Sequence, residues 1–224
     1  MRTQRVRPSS DLPELRFCGF NWRVKVGRQR GPGPNDWEAD HAWVDKRGLM
    51  HLRIAQDEAG MWRCAEVISD ESFGYGEYSF TISGRLNELD PNVVLGLFTY
   101  LDDHNEIDFE LSRWGLVTDC DNSQFVIQPA GEERIFRFAT GNSLRLAVVF
   151  DWTPARVYWQ CRKEMGGTAG GKLLADWNYK GSGVPIASDE RVHMNLWLMR
   201  GRPPIRESTA EVLIESFKFR AKSP

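Results

Sequence analysis

The sequence of 224 residues contains no apolar run that approaches the roughly 18 residues needed to cross a membrane. The amino terminus as given also lacks the apolar segment of a signal peptide, so we expect a cytoplasmic protein unless a leader has been removed. The formal net charge is only −2, which offers no electrostatic reason to expect nucleic acid or an anionic membrane as a partner.

Cysteine is scarce, and its spacing carries no motif. The four residues lie far apart and form no Cys-x-x-Cys pair, which argues against the common zinc and redox motifs: Cys18, Cys64, Cys120 and Cys161. We expect four free thiols, most of them buried. The glycine-rich segment 166–171 lacks the Lys-Ser/Thr pair of a phosphate-binding loop, so it predicts a mobile surface loop.

Helical periodicity is also missing, because no window of about twelve residues repeats its apolar side chains every 3.6 positions. Short runs that alternate apolar and polar residues are present instead, and they predict β-strands at 49–54, 77–82, 143–150, 156–159 and 210–219. Turn signals separate these runs, at 46–48, 57–60, 87–91, 140–142 and 151–154.

Many short strands divided by turns predict an all-β fold, a two-sheet antiparallel β-sandwich. We expect residues 1–12 to form a flexible tail and residues 13–224 to form a single domain, because no linker interrupts the strand runs. The segment 31–36, Gly-Pro-Gly-Pro-Asn-Asp, predicts a rigid loop that proline and glycine keep out of any strand.

The clearest functional signal is an acidic residue at every second position, in Glu106, Asp108 and Glu110. Successive side chains of a strand point to opposite faces, so these three carboxylates share one face. The apolar residues between and after them then point to the core: Ile107, Phe109 and Leu111. No lysine or arginine interrupts the row, so the like charges repel one another and raise the pKa of at least one carboxyl group.

Three interpretations of the acidic row stay open at this point. It is a solvated strand face, a site for a hard cation such as calcium, or a pair of catalytic carboxyl groups with a third between them. Retaining glycoside hydrolysis needs two carboxyl groups about 5–5.5 Å apart, one as nucleophile and one as acid/base. Positions i and i+4 of a flat strand lie about 13 Å apart at Cα. Two glutamate side chains that lean toward each other on a concave strand bring their carboxyl groups closer, as that chemistry requires.

The segment Glu106-Ile107-Asp108-Phe109-Glu110 resembles the catalytic motif of glycoside hydrolase family 16, which contains licheninases, laminarinases and xyloglucan transglycosylases. Other blocks are similar to that family in the same order, over about residues 20–215. These blocks are 65–69 followed by 73–78, then 96–100, 151–154 and 194–197.

The resemblance implies a concanavalin A-like jelly-roll with two antiparallel sheets and a concave cleft face. It implies that Glu106 is the nucleophile, that Glu110 is the acid/base and that Asp108 holds and tunes the nucleophile. The expected activity is retaining, endo-acting cleavage of a β-1,3 or mixed β-1,3/1,4 glucan by a monomer, without a required cofactor. A structural calcium ion on the convex face stays open and is assigned to no residues.

The resemblance also implies substrate-binding positions. Glu66 would hydrogen-bond sugar hydroxyls, Tyr100 and Trp197 would stack on sugar rings, and Asn195 would supply an amide. Further cleft residues on the same grounds are Phe98, in the strand before the acidic row, Gln124, Trp114 and His104. Core packing is the alternative for Trp197, a plain surface position for Glu66, and a cap on the sandwich edge for Trp114.

Two departures from licheninases bear on linkage preference, which the cleft walls set. His104 stands where those enzymes carry a tryptophan, and it can hydrogen-bond sugar or tune Glu106. Ile68 stands where they carry an arginine. Two other functions use the same scaffold: transglycosylation, in which a sugar acceptor replaces water, and lectin-like binding without turnover. A structural sandwich stabilised by calcium is a third alternative.

Overall fold

The computed structural model describes residues 11–164 and 171–222, and this part of the chain contains eighteen strands, four 3-10 helices and no α-helix. The predicted all-β fold is therefore confirmed. No helix in this part is long and apolar enough to cross a membrane. Two predicted mobile segments, residues 1–10 of the tail and 166–170 of the glycine-rich loop, lie outside the described residues, and the domain boundary at residue 13 stays a prediction.

The strands, in chain order, are β1 (Glu14–Phe17), β2 (Phe20–Val24), β3 (Gly27–Arg30), β4 (Asn35–Trp37), β5 (Ala42–Val44), β6 (Met50–Gln56), β7 (Trp62–Arg63), β8 (Ala65–Ser69), β9 (Gly76–Ser83), β10 (Val93–Asp102), β11 (Asn105–Leu111), β12 (Ser123–Ile127), β13 (Ile135–Phe138), β14 (Arg145–Thr153), β15 (Arg156–Lys163), β16 (Lys172–Tyr179), β17 (Arg191–Leu198) and β18 (Ala210–Ala221). The 3-10 helices are Ala39–His41, Leu86–Glu88, Glu132–Arg134 and Met199–Gly201.

Two large antiparallel sheets form the sandwich. The first sheet has the strand order β1-β2-β8-β17-β10-β11-β12-β13, and the second has the order β16-β15-β14-β9-β18-β6-β5, with β7 paired to β6. Strands β3 and β4 form a separate two-stranded ribbon. The chain crosses between the sheets from β8 to β9, from β9 to β10 and again from β13 to β14, which is the long-range connectivity of a jelly-roll.

The hydrophobic core lies between the two sheets, and the alternation of the sequence builds it. Every second side chain of β9 is buried, which is the pattern of a strand with one face on the core. Aromatic rings bridge the two layers: the ring centroids of Phe125 and Trp159 are 5.7 Å apart, and those of Trp22 and Phe217 are 5.4 Å apart. Such large rings dominate the apolar surface removed from water.

The outer face of the first sheet is recessed, as the predicted cleft requires. Its central strands bury side chains on both faces, and β12 is buried along its whole length. Three residues that point away from the core are still at most 8% exposed: Phe98, Gln124 and Asn195. A flat solvated sheet face would leave such side chains in water, so this face forms a cleft.

Two local predictions are wrong because tertiary contacts outweigh turn propensity. Residues 35 and 36 of the predicted loop belong to β4, where the Asn35 amide donates to the carbonyl oxygens of Pro32 at 2.7 Å and Leu198 at 2.9 Å. In the predicted turn 151–154, the strand β14 continues to residue 153. Trp152 is 1% exposed there and donates its Nε1 hydrogen to Pro185 O at 3.0 Å.

The cysteines follow the prediction in part. All four are free, and Cys64 and Cys161 are buried, whereas Cys18 and Cys120 are exposed. The expectation that most of the thiols are buried is therefore wrong, because two of them lie in surface turns or loops, outside the strand alternation that buries the others.

Substitution of the buried back of β11 should unfold the sandwich. Ile107 and Phe109 are both 0% exposed, so Ile107→Asp places an unpaired charge in the core. We expect a loss of stability on the order of 5 kcal/mol, comparable to the whole stability of a typical domain. The control is Ile186→Asp, because Ile186 is 75% exposed. Cooperative melting of Ile107→Asp at the wild-type temperature, measured by circular dichroism, would contradict this prediction.

Candidate active site

The candidate site lies on the recessed face of the first sheet and is built around β11. Strands β10 and β11 form a hairpin whose tight turn is Asp103 and His104. Asp102 stabilises this turn, because its Oδ1 accepts hydrogen bonds from the backbone N–H of His104 and the side-chain amide of Asn105, both at 2.9 Å. The turn therefore fixes the register of the two strands.

The acidic row lies on the face that the sequence predicts. Ile107 and Phe109 are fully buried in the core, so Glu106, Asp108 and Glu110 project from the opposite face of the same strand. Asp108 is 2% exposed, and the two glutamates are half-buried. This depth of burial excludes a plain solvated strand face for the row.

The two ends of the row have different hydrogen-bond partners. Gln124 donates its side-chain N–H to Glu110 Oε2 at 2.7 Å, and its own Oε1 accepts from Arg137 at 3.0 Å. Arg137 is held in turn by Asp119 at 2.6 Å. At the centre of the row, the Gln128 amide lies 3.3 Å from Asp108 Oδ2.

Burial is the main cause of the pKa shifts in the row. It raises the pKa of Glu110 to about 7, against the opposing effects of the Gln124 hydrogen bond and the Arg137 charge. It raises the pKa of Glu106 to about 8; the hydrogen bond from Asp108 opposes this rise, and the charge of Glu110 adds to it.

Glu106 and Asp108 form an interacting pair of carboxyl groups, and the pKa of each is raised. Burial raises the pKa of Asp108 well above its ordinary value, and the negative charges of Glu106 and Glu110 raise it further. The hydrogen bond between the two side chains raises the pKa of Asp108 and lowers that of Glu106, so this interaction favours Asp108 as the donor and Glu106 as the acceptor. Three carboxyl groups with raised pKa values thus occupy one face of β11.

A transverse row of polar residues crosses six strands through Glu110. Each member is the direct cross-strand partner of the next, from β8 to β13: Glu66, Asn195, Gly96, Glu110, Gln124 and Arg137. Gly96 provides room for the Asn195 amide, because a Cβ atom there would approach Asn195 Oδ1 to 2.6 Å. Asn195 is 1% exposed, and its buried Oδ1 has no hydrogen-bond partner among the described residues.

Glu66 lies on the same face, and both of its oxygens have protein partners. It is 2% exposed, its Oε2 accepts from Lys25 Nζ at 2.7 Å, and its Oε1 lies 2.8 Å from His193 Nδ1. A plain surface position is therefore excluded for Glu66. Its direct contact with sugar stays a prediction, and the pairing with Lys25 and His193 is not apparent from the sequence.

Aromatic side chains border the acidic row on the β10 side. Phe98 and Tyr100 are the cross-strand partners of Asp108 and Glu106. Phe98 is 8% exposed, whereas Tyr100 is half-buried and donates its hydroxyl hydrogen to Asp103 at 3.0 Å. His104 is exposed in the adjoining hairpin turn. Their binding roles stay predictions, and the structure places all three near one end of the row.

The two predicted cleft tryptophans meet at the other end of the face. The ring centroids of Trp114 and Trp197 are 6.1 Å apart with planes at 65°, and Trp197 is 9% exposed. Both rings line an open groove of about 640 Å³, together with Gly33, Pro34, Met199 and Arg200. Trp197 therefore combines core packing with a surface on the groove, and Trp114 forms a wall of it.

Four residues of the site are not predicted from the sequence: Lys25, Gln128, Arg137 and His193. The sequence does contain a signal for His193, because strand alternation puts position 193 on the same face as the predicted cleft positions 195 and 197. The others lie near the site only through long-range strand pairing. No group of three or more His, Cys, Asp or Glu side chains in the described part of the chain is arranged to hold a metal ion, so we assign no metal ligands to the acidic row.

No family model and no curated protein matches the sequence. Solved structures do match the fold. The β-glucanase of Bacillus licheniformis aligns with a TM-score of 0.68 and 19% identity over 90% of this chain and 92% of that chain. A β-1,3-glucanase of Mycobacterium marinum aligns with a TM-score of 0.66 and 14% identity over 95% and 92%.

A third solved structure is described as an immunostimulatory antigen and pseudo β-1,3-glucanase of Mycobacterium tuberculosis. It aligns with a TM-score of 0.64 and 17% identity over 86% of this chain and 88% of that chain. At such identities the likeness shows the fold, and the predicted jelly-roll sandwich of β-glucanases is confirmed at that level.

The raised pKa of Glu110 predicts a pH-dependent cost in stability. An unfolded glutamate releases its proton near pH 4.5, whereas folded Glu110 keeps it up to about pH 7, so the folded state loses stability as the pH rises through this window. Glu110→Gln removes the loss and keeps an acceptor for Gln124. We expect a gain of about 1–3 kcal/mol at pH 8 relative to wild type, and little gain below pH 4.5.

The measurement is urea unfolding of both proteins at the two pH values. Glu58→Gln is the control, since Glu58 is exposed in a turn away from the row and should change stability equally at both pH values. An equal gain for Glu110→Gln at both pH values would show that burial does not disfavour the charged form of Glu110.

Proposed function

We propose that this chain is a retaining endo-β-glucanase that cleaves a β-1,3 or mixed β-1,3/1,4 glucan by double displacement. The observation that carries the proposal is the row of Glu106, Asp108 and Glu110. Each of these carboxyl groups has a raised pKa, and all three project from one strand into the recessed face of a fold shared with β-glucanases. Perturbed carboxyl groups in a cleft are typical of catalytic sites.

In the first step Glu106 is the nucleophile and Glu110 is the acid. The ionised oxygen of Glu106 attacks the anomeric carbon, the glycosidic C–O bond breaks, and the Glu110 proton passes to the leaving oxygen. Glu110 suits this role because burial raises its pKa to about 7, so it retains a proton near neutral pH. The hydrogen bond from Asp108 lowers the pKa of Glu106, which burial raises to about 8, and so favours the ionised form that attacks.

In the second step the same residues exchange roles. Glu110, now ionised, takes a proton from water, the water oxygen bonds to the anomeric carbon, and the bond to Glu106 breaks. Gln124 and Arg137 favour the ionised form of Glu110 that this step requires, since both lower its pKa. The anomeric configuration is inverted twice and therefore retained.

The length of the site supports endo action. Tyr100 and His104 lie at one end of the face, and Trp197 pairs with Val94 at the other end. Positions 94 and 100 of β10 lie about 20 Å apart at 3.3 Å per residue. Aromatic rings at both ends suit the apolar C–H faces of more than one sugar ring, so a polysaccharide fits better than a disaccharide.

The linkage is proposed from the solved structures of the same fold. One of these structures is a β-1,3-1,4-glucanase derived from a mouse hindgut metagenome, and another is the β-1,3-glucanase of Mycobacterium marinum. Both substrates are β-glucans, so we propose this class for the chain. Transglycosylation uses the same carboxyl groups, and it is distinguished from hydrolysis by adding a sugar acceptor and looking for transfer products.

A second candidate is a carbohydrate-binding sandwich without turnover. The observation in its favour is that the same fold serves a protein described as a pseudo β-1,3-glucanase. The complete acidic row favours the enzyme, because binding alone does not require three carboxyl groups on one strand. Reducing-end release from laminarin and from barley mixed-linkage glucan separates the two candidates.

Removal of either catalytic carboxyl group should abolish hydrolysis. We expect kcat of Glu106→Gln and Glu110→Gln to fall by a factor of about a thousand or more, because each change removes a reacting group. Glu58→Gln, away from the row, is the matched control. Retention is checked by proton NMR, which should show the β-anomer as the first product. Initial appearance of the α-anomer would contradict the retaining mechanism.

The alkaline limb of the pH profile should depend on Gln124. Its hydrogen bond lowers the pKa of Glu110, so Gln124→Leu should raise that pKa and shift the alkaline limb of kcat/KM upward by about one pH unit. The activity is followed from about pH 4 to about pH 9. A limb that stays in place or moves downward would show that Glu110 is not the acid.

A further inference from the structure

A second ionic cluster lies on the same face as the acidic row, and its nearest member, on β17, is two strands away from β11. It consists of Lys25, Glu66 and His193, with Glu66 buried between the other two at 2.7 Å and 2.8 Å. Lys25 is fixed on its other side, since its Nζ donates to Gly31 O at 2.6 Å and lies 4.3 Å from the centroid of the Trp37 ring. The cluster is therefore rigidly attached to the fold.

The charge of Glu66 decides which histidine nitrogen is protonated. Burial alone would raise the pKa of Glu66, but the Lys25 charge and the His193 hydrogen bond hold it below its ordinary value. Glu66 is thus ionised, and an ionised carboxylate only accepts hydrogen bonds. Nδ1 of His193 is consequently the donor to Glu66, and Nε2 is the nitrogen left for another partner.

The His193 ring is held in one orientation by its neighbours. It stacks on Phe98 with centroids 5.0 Å apart and planes at 25°, and it meets Tyr100 edge-on at 5.6 Å. Nε2 makes no hydrogen bond with any described residue, and the His193 side chain is 12% exposed. A fixed imidazole with one free nitrogen on a cleft face is prepared for a ligand.

Strand register places His193 two strands away from Asp108, on the same face of the sheet. His193 is the cross-strand partner of Phe98, and Phe98 is the partner of Asp108. Two strand spacings amount to about 10 Å, roughly the reach from the acidic row to a neighbouring sugar ring. On its other side, His193 pairs with Ile68, whose side chain has no polar atom. His193 is therefore a hydrogen-bonding side chain between two apolar cross-strand neighbours, Phe98 and Ile68.

We propose that His193 is a substrate-binding residue of this cleft, with Nε2 hydrogen-bonded to a hydroxyl group of a glucosyl residue next to the acidic row. Glu66 and Lys25 act through it as positioning residues. A sugar hydroxyl group both donates and accepts hydrogen bonds, so it can bond to Nε2 whether that nitrogen carries a lone pair or a hydrogen. This assignment rests on the proposed glucanase function and names the residue that contacts the substrate.

The first test measures binding without turnover. Laminaritetraose and a mixed-linkage glucan tetrasaccharide are titrated calorimetrically into Glu106→Gln and into Glu106→Gln with His193→Phe. Phenylalanine keeps the stack on Phe98 and removes only the hydrogen-bonding atoms. We expect the affinity for at least one oligosaccharide to fall about tenfold, the effect of losing one hydrogen bond.

The matched control is His51→Phe in the same background. His51 also has a carboxylate partner, Glu211 at 2.9 Å, and stacks on an aromatic ring, Trp43 at 4.5 Å, but it pairs in the second sheet. Its loss should leave affinity unchanged. If His193→Phe leaves the affinity for both oligosaccharides unchanged, the assignment is overturned. Hydrolysis by the wild-type protein would still support the glucanase function in that case.

The second test needs no change at His193. Nitrogen-15 NMR of Glu106→Gln should show Nε2 of His193 shifting when the oligosaccharide is added, whereas a histidine with a merely structural role would not respond. An unshifted Nε2 signal in the bound protein contradicts the proposal. Failure of both oligosaccharides to bind Glu106→Gln overturns the substrate class itself, and this assignment with it.

Discussion

The apolar back of β11 is the constraint on which the site depends. Ile107 and Phe109 are fully buried between the sheets, and a slip of one residue would move them into water and the carboxylates into the core. The large free-energy penalty of such a slip fixes the register with β10 and β12. Because the register is fixed, Glu106, Asp108 and Glu110 face the cleft with defined cross-strand partners.

The acidic row is unfavourable for folding and useful for chemistry for the same reason. Burial disfavours the charged form of each carboxyl group, and mutual repulsion adds to that effect in Glu106 and Asp108. The fold distributes partners unequally: Asp108 hydrogen-bonds Glu106, whereas Glu110 faces Gln124 and Arg137. Unequal surroundings are what separate a nucleophile from an acid among chemically similar groups.

Much of the fold follows from local sequence because strand alternation is a local property. The predicted runs at 77–82 and 210–219 lie within β9 and β18. The side chains at 106, 108 and 110 share one face of β11, as predicted. The turn predicted at 151–154 begins only after residue 153, because a buried tryptophan extends β14 beyond what local propensity indicates. Residues such as Lys25 and Arg137 join the site through pairing of distant strands, which no local pattern encodes.

The transverse row of polar residues has a consequence for how the molecule assembles. Its neighbours Glu66 and Asn195 are more than a hundred positions apart in the chain, and Gln124 and Arg137 come from yet other strands. Closing such long loops is entropically unfavourable and slow, so high-contact-order sandwiches fold late and cooperatively. No nascent fragment that ends before β17 contains the complete row, so the row is completed only after this strand has joined the first sheet.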